Sequence, residues 1–141
     1  ELREYISSVS QNEILYNETI YNNVTINRYV DYDEFLEVCK ITKVDEIMDK
    51  TQFNASFMIE ENGFNLSGGE RQRIILARSL VQNPSILILD ESLSEVDKST
   101  EQYILRNLDR HLSKTTIIYI THTNTKVFKN TINITNSYQN N

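Results

Sequence analysis

Ile86-Leu87-Ile88-Leu89-Asp90-Glu91 is the stretch that decides the fold. Four apolar residues run without interruption between Pro84 and Asp90. That pattern predicts a short strand buried on both faces of a parallel sheet, because crossover helices cover both sides of such a sheet. The strand ends in two carboxylates, and open α/β sheets bind ligands beyond the carboxyl ends of their strands. Asp90 there can hold Mg²⁺, usually through water, because the ion is hard and dehydrates reluctantly. Glu91 beside it can orient and deprotonate a water within hydrogen-bond reach. Alternatively, two acids simply end a strand and face solvent.

Upstream, Leu66-Ser67-Gly68-Gly69-Glu70-Arg71-Gln72-Arg73 has a Ser at a helix N-cap position and a Glu three residues later, the form of a capping box. The helix it opens carries Ile74, Ile75, Ala77, Leu80 and Val81 inward and stops at Asn83-Pro84. Two glycines let an anion approach the backbone, and a helix start offers free N–H groups and the positive end of a dipole. The plainer reading is a capped helix whose glycines only make the turn. Downstream, Ser99 or Thr100 is expected to cap a helix with Ile104, Leu105, Leu108 and Leu112 inward. Residues 116–120 then predict a second buried strand. His122 follows at its end, where an imidazole can donate to a phosphate oxygen, though a lone His is more often structural.

Farther out, residues 5–9 read as a strand, closed by a polar run containing Gln11. Short helices are expected near 19–24 and 45–48, and a longer one over 34–41 capped by Asp31 or Asp33. Residues 51–66 read mostly as loop with Phe57, Met58 and Ile59 as an apolar anchor. Val127 and Phe128 are expected to close a short helix, and 132–134 to form a last strand. The alternation of strands and helices makes the chain α/β.

Composition narrows the function. The 141 residues are 39% hydrophobic and 24% charged, ordinary for a globular chain, and no run nears the ~20 apolar residues that a membrane span needs. A net charge of -6 argues against a nucleic-acid partner, which calls for a basic surface. The one cysteine, Cys39, falls in the apolar rhythm Phe35, Leu36, Val38, Cys39 and reads as core in a reducing compartment. His111 and His122 have no cysteine nearby, so no zinc site is expected. The chain opens Glu1-Leu2-Arg3-Glu4, without an initiator Met, which leads us to expect a piece of something larger.

Taken together, these elements resemble the nucleotide-binding domain of ATP-binding-cassette (ABC) proteins. Residues 66–73 are similar to the family's signature motif. Residues 86–91 are similar to its Walker B strand and adjacent catalytic Glu, and Ser94-Glu95-Val96-Asp97 to its D-loop form Ser-x-x-Asp. His122 resembles the switch histidine and Gln11 the Q-loop. The stretch Leu15-Tyr16, Thr19-Ile20, Asn23-Val24 looks like exporter-type members, and Glu60-Glu61-Asn62-Gly63-Phe64-Asn65 like the approach to the signature in peptide and bacteriocin exporters. The family's phosphate-binding loop, Gly-x-x-x-x-Gly-Lys-[Ser/Thr], does not occur, since no Gly-Lys pair exists in the chain. Ser92-Leu93 stands where Ala-Thr is commoner, and Glu95-Val96 where Ala-Leu is commoner.

The resemblance implies a partial P-loop NTPase-type parallel sheet lacking its P-loop strand, with a small helical subdomain over about 17–82 and core segments at 1–16 and 83–141. It implies an ATPase with ATP and Mg²⁺ as cofactors, working as a head-to-tail pair with a second nucleotide-binding domain. A transmembrane domain would be the other partner, at the cytoplasmic face of the membrane. Glu91 and His122 would be catalytic. Asp90 and Gln11 would attend the metal, and Ser67, Gly68 and Gly69 would clamp the γ-phosphate bound on the partner. The expected cargo is a substrate such as a peptide, chosen mainly by the membrane part rather than by these residues. The other classes are a chromosome-maintenance or DNA-repair ABC ATPase and a regulatory module without hydrolysis. Gln11 lies only 56 positions before Ser67, which leaves no room for the long coiled coil of the former. Glu91 and His122, both present, speak against the latter.

Overall fold

Three parallel strands form one sheet in the order β1 (Ile6–Val9), β2 (Ile86–Asp90), β3 (Thr116–Ile120). A computed structural model describes residues 5–10, 12–26, 28–52, 54–123, 127–128, 130 and 132 of the chain. Ile86 pairs with Ile6 on one side and Thr116 on the other, and the register continues to Asp90 opposite Ile120. The central place of β2 fits its apolar run. Its burial does not match the expectation: Leu87 and Leu89 are fully buried, whereas Ile86 and Ile88 are only partly so. Helices therefore cover one face. On the other, Ile6, Ile118 and Ile120 remain exposed. β3, expected to be buried, is an edge strand among the described residues, with alternating exposed and half-buried positions.

Between β1 and β2 the chain folds into helices. Thr19 caps α1 (Ile20–Thr25), its hydroxyl accepting from Asn22 N–H. Asp31 caps α2 (Tyr32–Thr42), and α3 (Val44–Asp49) follows after Lys43. Residues 51–66 are looser, as expected, with single 3-10 turns at Asn54–Ser56 and Glu61–Gly63. Of the expected anchor there, Ile59 is fully buried and Met58 is exposed.

The helix α4 (Gly68–Leu80) is buried on every side from Gln72 to Leu80. It joins Phe35, Ile20 and Val24 to Val9, Leu87 and Leu89, and α5 (Lys98–His111) adds Ile104, Leu105 and Leu108 to the same core. Burying each such large side chain contributes about 1.5–3 kcal/mol. Cys39 lies inside this core, where burial and then the Asp45 charge push its thiol up to about 12. The cap of α5 is Asp97 rather than Ser99 or Thr100; its carboxylate accepts from Thr100 N–H at 3.0 Å. Val127 and Phe128 lie at a bend, not in a helix, and the Phe128 ring meets Tyr119 edge-on. The strand expected at 132–134 falls outside the described residues except for Ile132, which is exposed.

Candidate functional site

Parallel pairing brings the carboxyl ends of β2 and β3 side by side. Glu91, just past β2, has φ 49°, a left-handed conformation that costs a non-glycine residue about 1–3 kcal/mol. Its backbone is held there because its N–H donates to Ile120 C=O at 3.0 Å and its C=O accepts from Ser94 N–H at 3.1 Å. The turn points the Glu91 side chain toward the end of β3, where His122 Nε2 lies 2.5 Å from Glu91 Oε1. His122 is 88% exposed, so it faces solvent from this contact. Asp90 ends β2 as an exposed carboxylate on the sheet's open face.

The second cluster is the start of α4. The capping box forms as expected: Ser67 Oγ accepts from Glu70 N–H, and Glu70 Oε2 accepts from Ser67 N–H. Burial alone would raise the Glu70 carboxyl. The Ser67 hydrogen bonds, with Lys50 and Arg73 nearby, outweigh it and hold the group below its ordinary value. Gly68 and Gly69 do not flank open space on their Cα side. A Cβ on Gly69 would come within 2.9 Å of Glu95 C=O and 3.3 Å of Val96 Cα, and one on Gly68 would overlap the Glu95 carboxylate. Gly69 is needed first so that the backbone of the turn over residues 94–97 can lie on it, whereas Gly68 meets only the end of the Glu95 side chain.

Gln72 fastens that turn. Its side-chain amide donates to Ser94 Oγ at 3.1 Å, and its carbonyl accepts from Glu95 N–H at 2.9 Å. At the end of the turn, Asp97 is held well below the usual carboxylate range by Ser99 Oγ and then Thr100 N–H. A third network steadies the segment around His122. Lys98 Nζ donates to Glu101 at 2.7 Å and to Thr123 Oγ1 at 3.2 Å, and Tyr119 donates to Glu101 at 2.5 Å. Burial, then the Glu101 carboxylate, push the Tyr119 phenol up.

The profile that describes ABC transporters matches residues 1–94. The chain belongs to the ABC transporter family. Two exporters in the family are similar across 86% of this chain. An ATP-dependent lipid A-core flippase of Legionella pneumophila (strain Paris) is 37% identical over 122 residues, which are 21% of its own length. The alpha-hemolysin translocation ATP-binding protein HlyB of Escherichia coli O157:H7 is 36% identical, over 17% of its length. A bacterial Atm1-family ABC exporter with ATP bound superposes with a TM-score of 0.81 at 34% identity, covering 86% of this chain and 21% of that one. The chain thus spans about a fifth of the length of these relatives. Its sequence is that of an exporter-type ABC nucleotide-binding domain, in its C-terminal part.

Against the motifs of that family, the structure brings Glu91 to His122 and Ser67–Gly69 to the Ser94–Asp97 turn, and Asp90 sits beside Glu91. Gln11 lies outside the described residues. Sequence reasoning missed Gln72, Lys98, Glu101 and Tyr119. Tyr119 left one signal, a polar tip in an otherwise apolar strand. Gln72 left none, because its partners lie more than 20 positions away.

Proposed function

We propose that this chain supplies part of the ATP-hydrolysing apparatus of an ABC exporter, and the Glu91–His122 contact at the ends of β2 and β3 carries that reading. Glu91 acts as the base that takes a proton from the attacking water. His122, within hydrogen-bond distance, orients Glu91 and donates toward the phosphoryl oxygens. Phosphoryl transfer needs mainly positioning and charge neutralisation, and both residues are held for it by the backbone bond between Glu91 and Ile120. Ser67, Gly68 and Gly69 turn the start of α4 toward a nucleotide bound on a second nucleotide-binding domain. Ser94 and Asp97 support that edge.

Asp90 and Glu91 present hard carboxylate oxygens, and no group of three or more His, Cys, Asp or Glu side chains gathers among the described residues. This donor set suits Mg²⁺, which Asp90 would hold through water, rather than an all-protein cage. Mg²⁺ supplies charge neutralisation of the phosphates. Gln11 is assigned to the same ion.

The chain divides into a helical subdomain over about 17–82 and core segments at 1–16 and 83–141. It works at the cytoplasmic face of a membrane, paired head-to-tail with a second nucleotide-binding domain and coupled to a transmembrane domain. The cargo we assign is a peptide, supported by the similarity of residues 60–65 to peptide and bacteriocin exporters.

The test is Glu91→Gln in the full-length transporter that carries these residues. The amide keeps shape but cannot act as a base, so hydrolysis should fall about 10²–10⁴-fold while ATP binding persists. Turnover within about threefold of the parent, well short of the loss a missing base causes, would remove Glu91 from this role.

A further inference from the structure

Glu95 stands where the family more often has Ala, and its side chain is folded onto the start of α4. A Cβ on Gly68 would overlap the Glu95 carboxylate, so any side chain there would have to push that carboxylate aside. Its backbone cannot retreat, because Glu95 N–H donates to the buried Gln72 at 2.9 Å and Glu95 C=O packs on Gly69. Only the carboxylate arm is free to move. On its outer side is Arg71, with Nη2 at 3.9 Å from Glu95 Oε2. The stem of Arg71 is braced on Gly63, where a Cβ would come within 2.8 Å of it. Arg71, Gln72, Gly68 and Glu95 together line a cleft of about 210 Å³ that reaches back to Glu13. The same Oε2 that overlies Gly68 is thus the one paired with Arg71.

The geometry of α4 gives the Gly68 and Gly69 amides no intrahelical acceptor, and the capping box has already used the Ser67 and Glu70 N–H groups. An incoming phosphate would therefore bring its charge to the turn that the Glu95 carboxylate already overlies. We propose that Glu95 is an intrachain competitor for that phosphate: the Ser67–Gly69 turn accepts an anion fully only after the carboxylate swings off Gly68. This rests on the reading of Ser67–Gly69 as a phosphate clamp and adds a built-in brake to it. Docking of a second nucleotide-binding domain would then have to displace a like charge as well as seat a nucleotide.

The chain has only three glycines, so a ¹⁵N-labelled sample resolves Gly68 and Gly69 as reporters and keeps Gly63 as a reference. Inorganic phosphate is titrated into the 141-residue chain at constant ionic strength, with chloride as the control anion. Glu95→Gln is nearly isosteric and should tighten the response of Gly68 and Gly69 about fivefold, the effect of one like charge within about 4 Å in a water-like dielectric. Glu95→Ser should do the same, and removal of the distant exposed charge by Glu37→Gln should not. Equal responses in the parent and Glu95→Gln would overturn the brake while leaving the clamp intact. No response in any variant would overturn both.

Discussion

At the scale of single residues, the departures from the family pattern are where the chain's own chemistry lies. Ser92 occupies a position where Ala is commoner, directly after Glu91. It is 1% exposed, and its Oγ has no hydrogen-bond partner among the described residues. A buried hydroxyl left unpaired costs about 1–3 kcal/mol, and an Ala there loses nothing in packing beyond one oxygen. Ser92→Ala should therefore leave stability unchanged or raise it by about 1 kcal/mol, measured by urea unfolding of the chain. A loss of more than about 1 kcal/mol, the worth of one net hydrogen bond, would mean that the hydroxyl has a partner after all. Arg78 is the opposite case, a buried cation each of whose three nitrogens donates. It donates to Asn23 C=O at 2.8 Å, Ile14 C=O at 2.9 Å and Asn23 Oδ1 at 3.0 Å, and so ties the segment after Gln11 to α4. No periodicity in the sequence marks Arg78 as different from Arg73 or Arg71. Its partners are supplied by α1 and the loop before it, which only the folded chain brings near.

At the scale of elements, what the sequence made legible was whatever local chemistry decides. The capping box of α4, the parallel character of β2 and the cap of α2 follow from residues within one turn or one strand. What it misjudged was burial, a property of neighbours. β2 and β3 carry the apolar runs of covered strands, yet helices shield only one face, and Ile118 and Ile120 stand open. The start of α4 gives a pH-dependent prediction. Glu70 has its carboxyl held below its ordinary value of 4.5. A group depressed in this way stabilises the fold above its unfolded value, and the contribution is lost as the pH falls through the folded one. Glu70→Ala should thus cost about 1 kcal/mol near neutral pH, and its difference from the parent should shrink below pH 4.5 in paired urea titrations. A difference that does not change with pH would show that the carboxylate plays no part in the cap. For the sheet, β3 hydrogen-bonds to β2 along one edge only among the described residues. Amides of β2 should therefore exchange more slowly with deuterium than those of β3. Equal protection of alternate β3 amides on both edges would reveal a second partner strand against it.

At the scale of the whole molecule, the family, the fold class and the order of motifs are all carried by contiguous segments, and they are legible for that reason. The coupling between motifs is not. Gln72 binds the Ser94 turn across more than 20 positions, and Lys98 steadies Thr123 across 25. Through these two bonds α4, the turn after β2 and the His122 segment are joined into one frame around β2. That frame holds the carboxylates Asp90 and Glu91, a histidine and the start of α4. It has no loop of the Gly-x-x-x-x-Gly-Lys-[Ser/Thr] form anywhere in its 141 residues. In this family that loop supplies the backbone N–H groups and the lysine that cradle the β- and γ-phosphates. On the proposed reading Ser67–Gly69 would serve a nucleotide held by another domain and would not stand in for that loop on the same molecule. A base without a cradle has no oriented phosphate to attack, and a loss of positioning multiplies with the loss of charge neutralisation. The 141-residue chain by itself should therefore release no phosphate from Mg-ATP above the uncatalysed background, at any concentration that keeps it folded. Contaminating ATPases are the obvious confounder, and Glu91→Gln is the control, since it leaves contaminants untouched. Phosphate release that appears in the parent chain and vanishes in Glu91→Gln would mean that the frame around β2 orients ATP without the glycine-lysine loop.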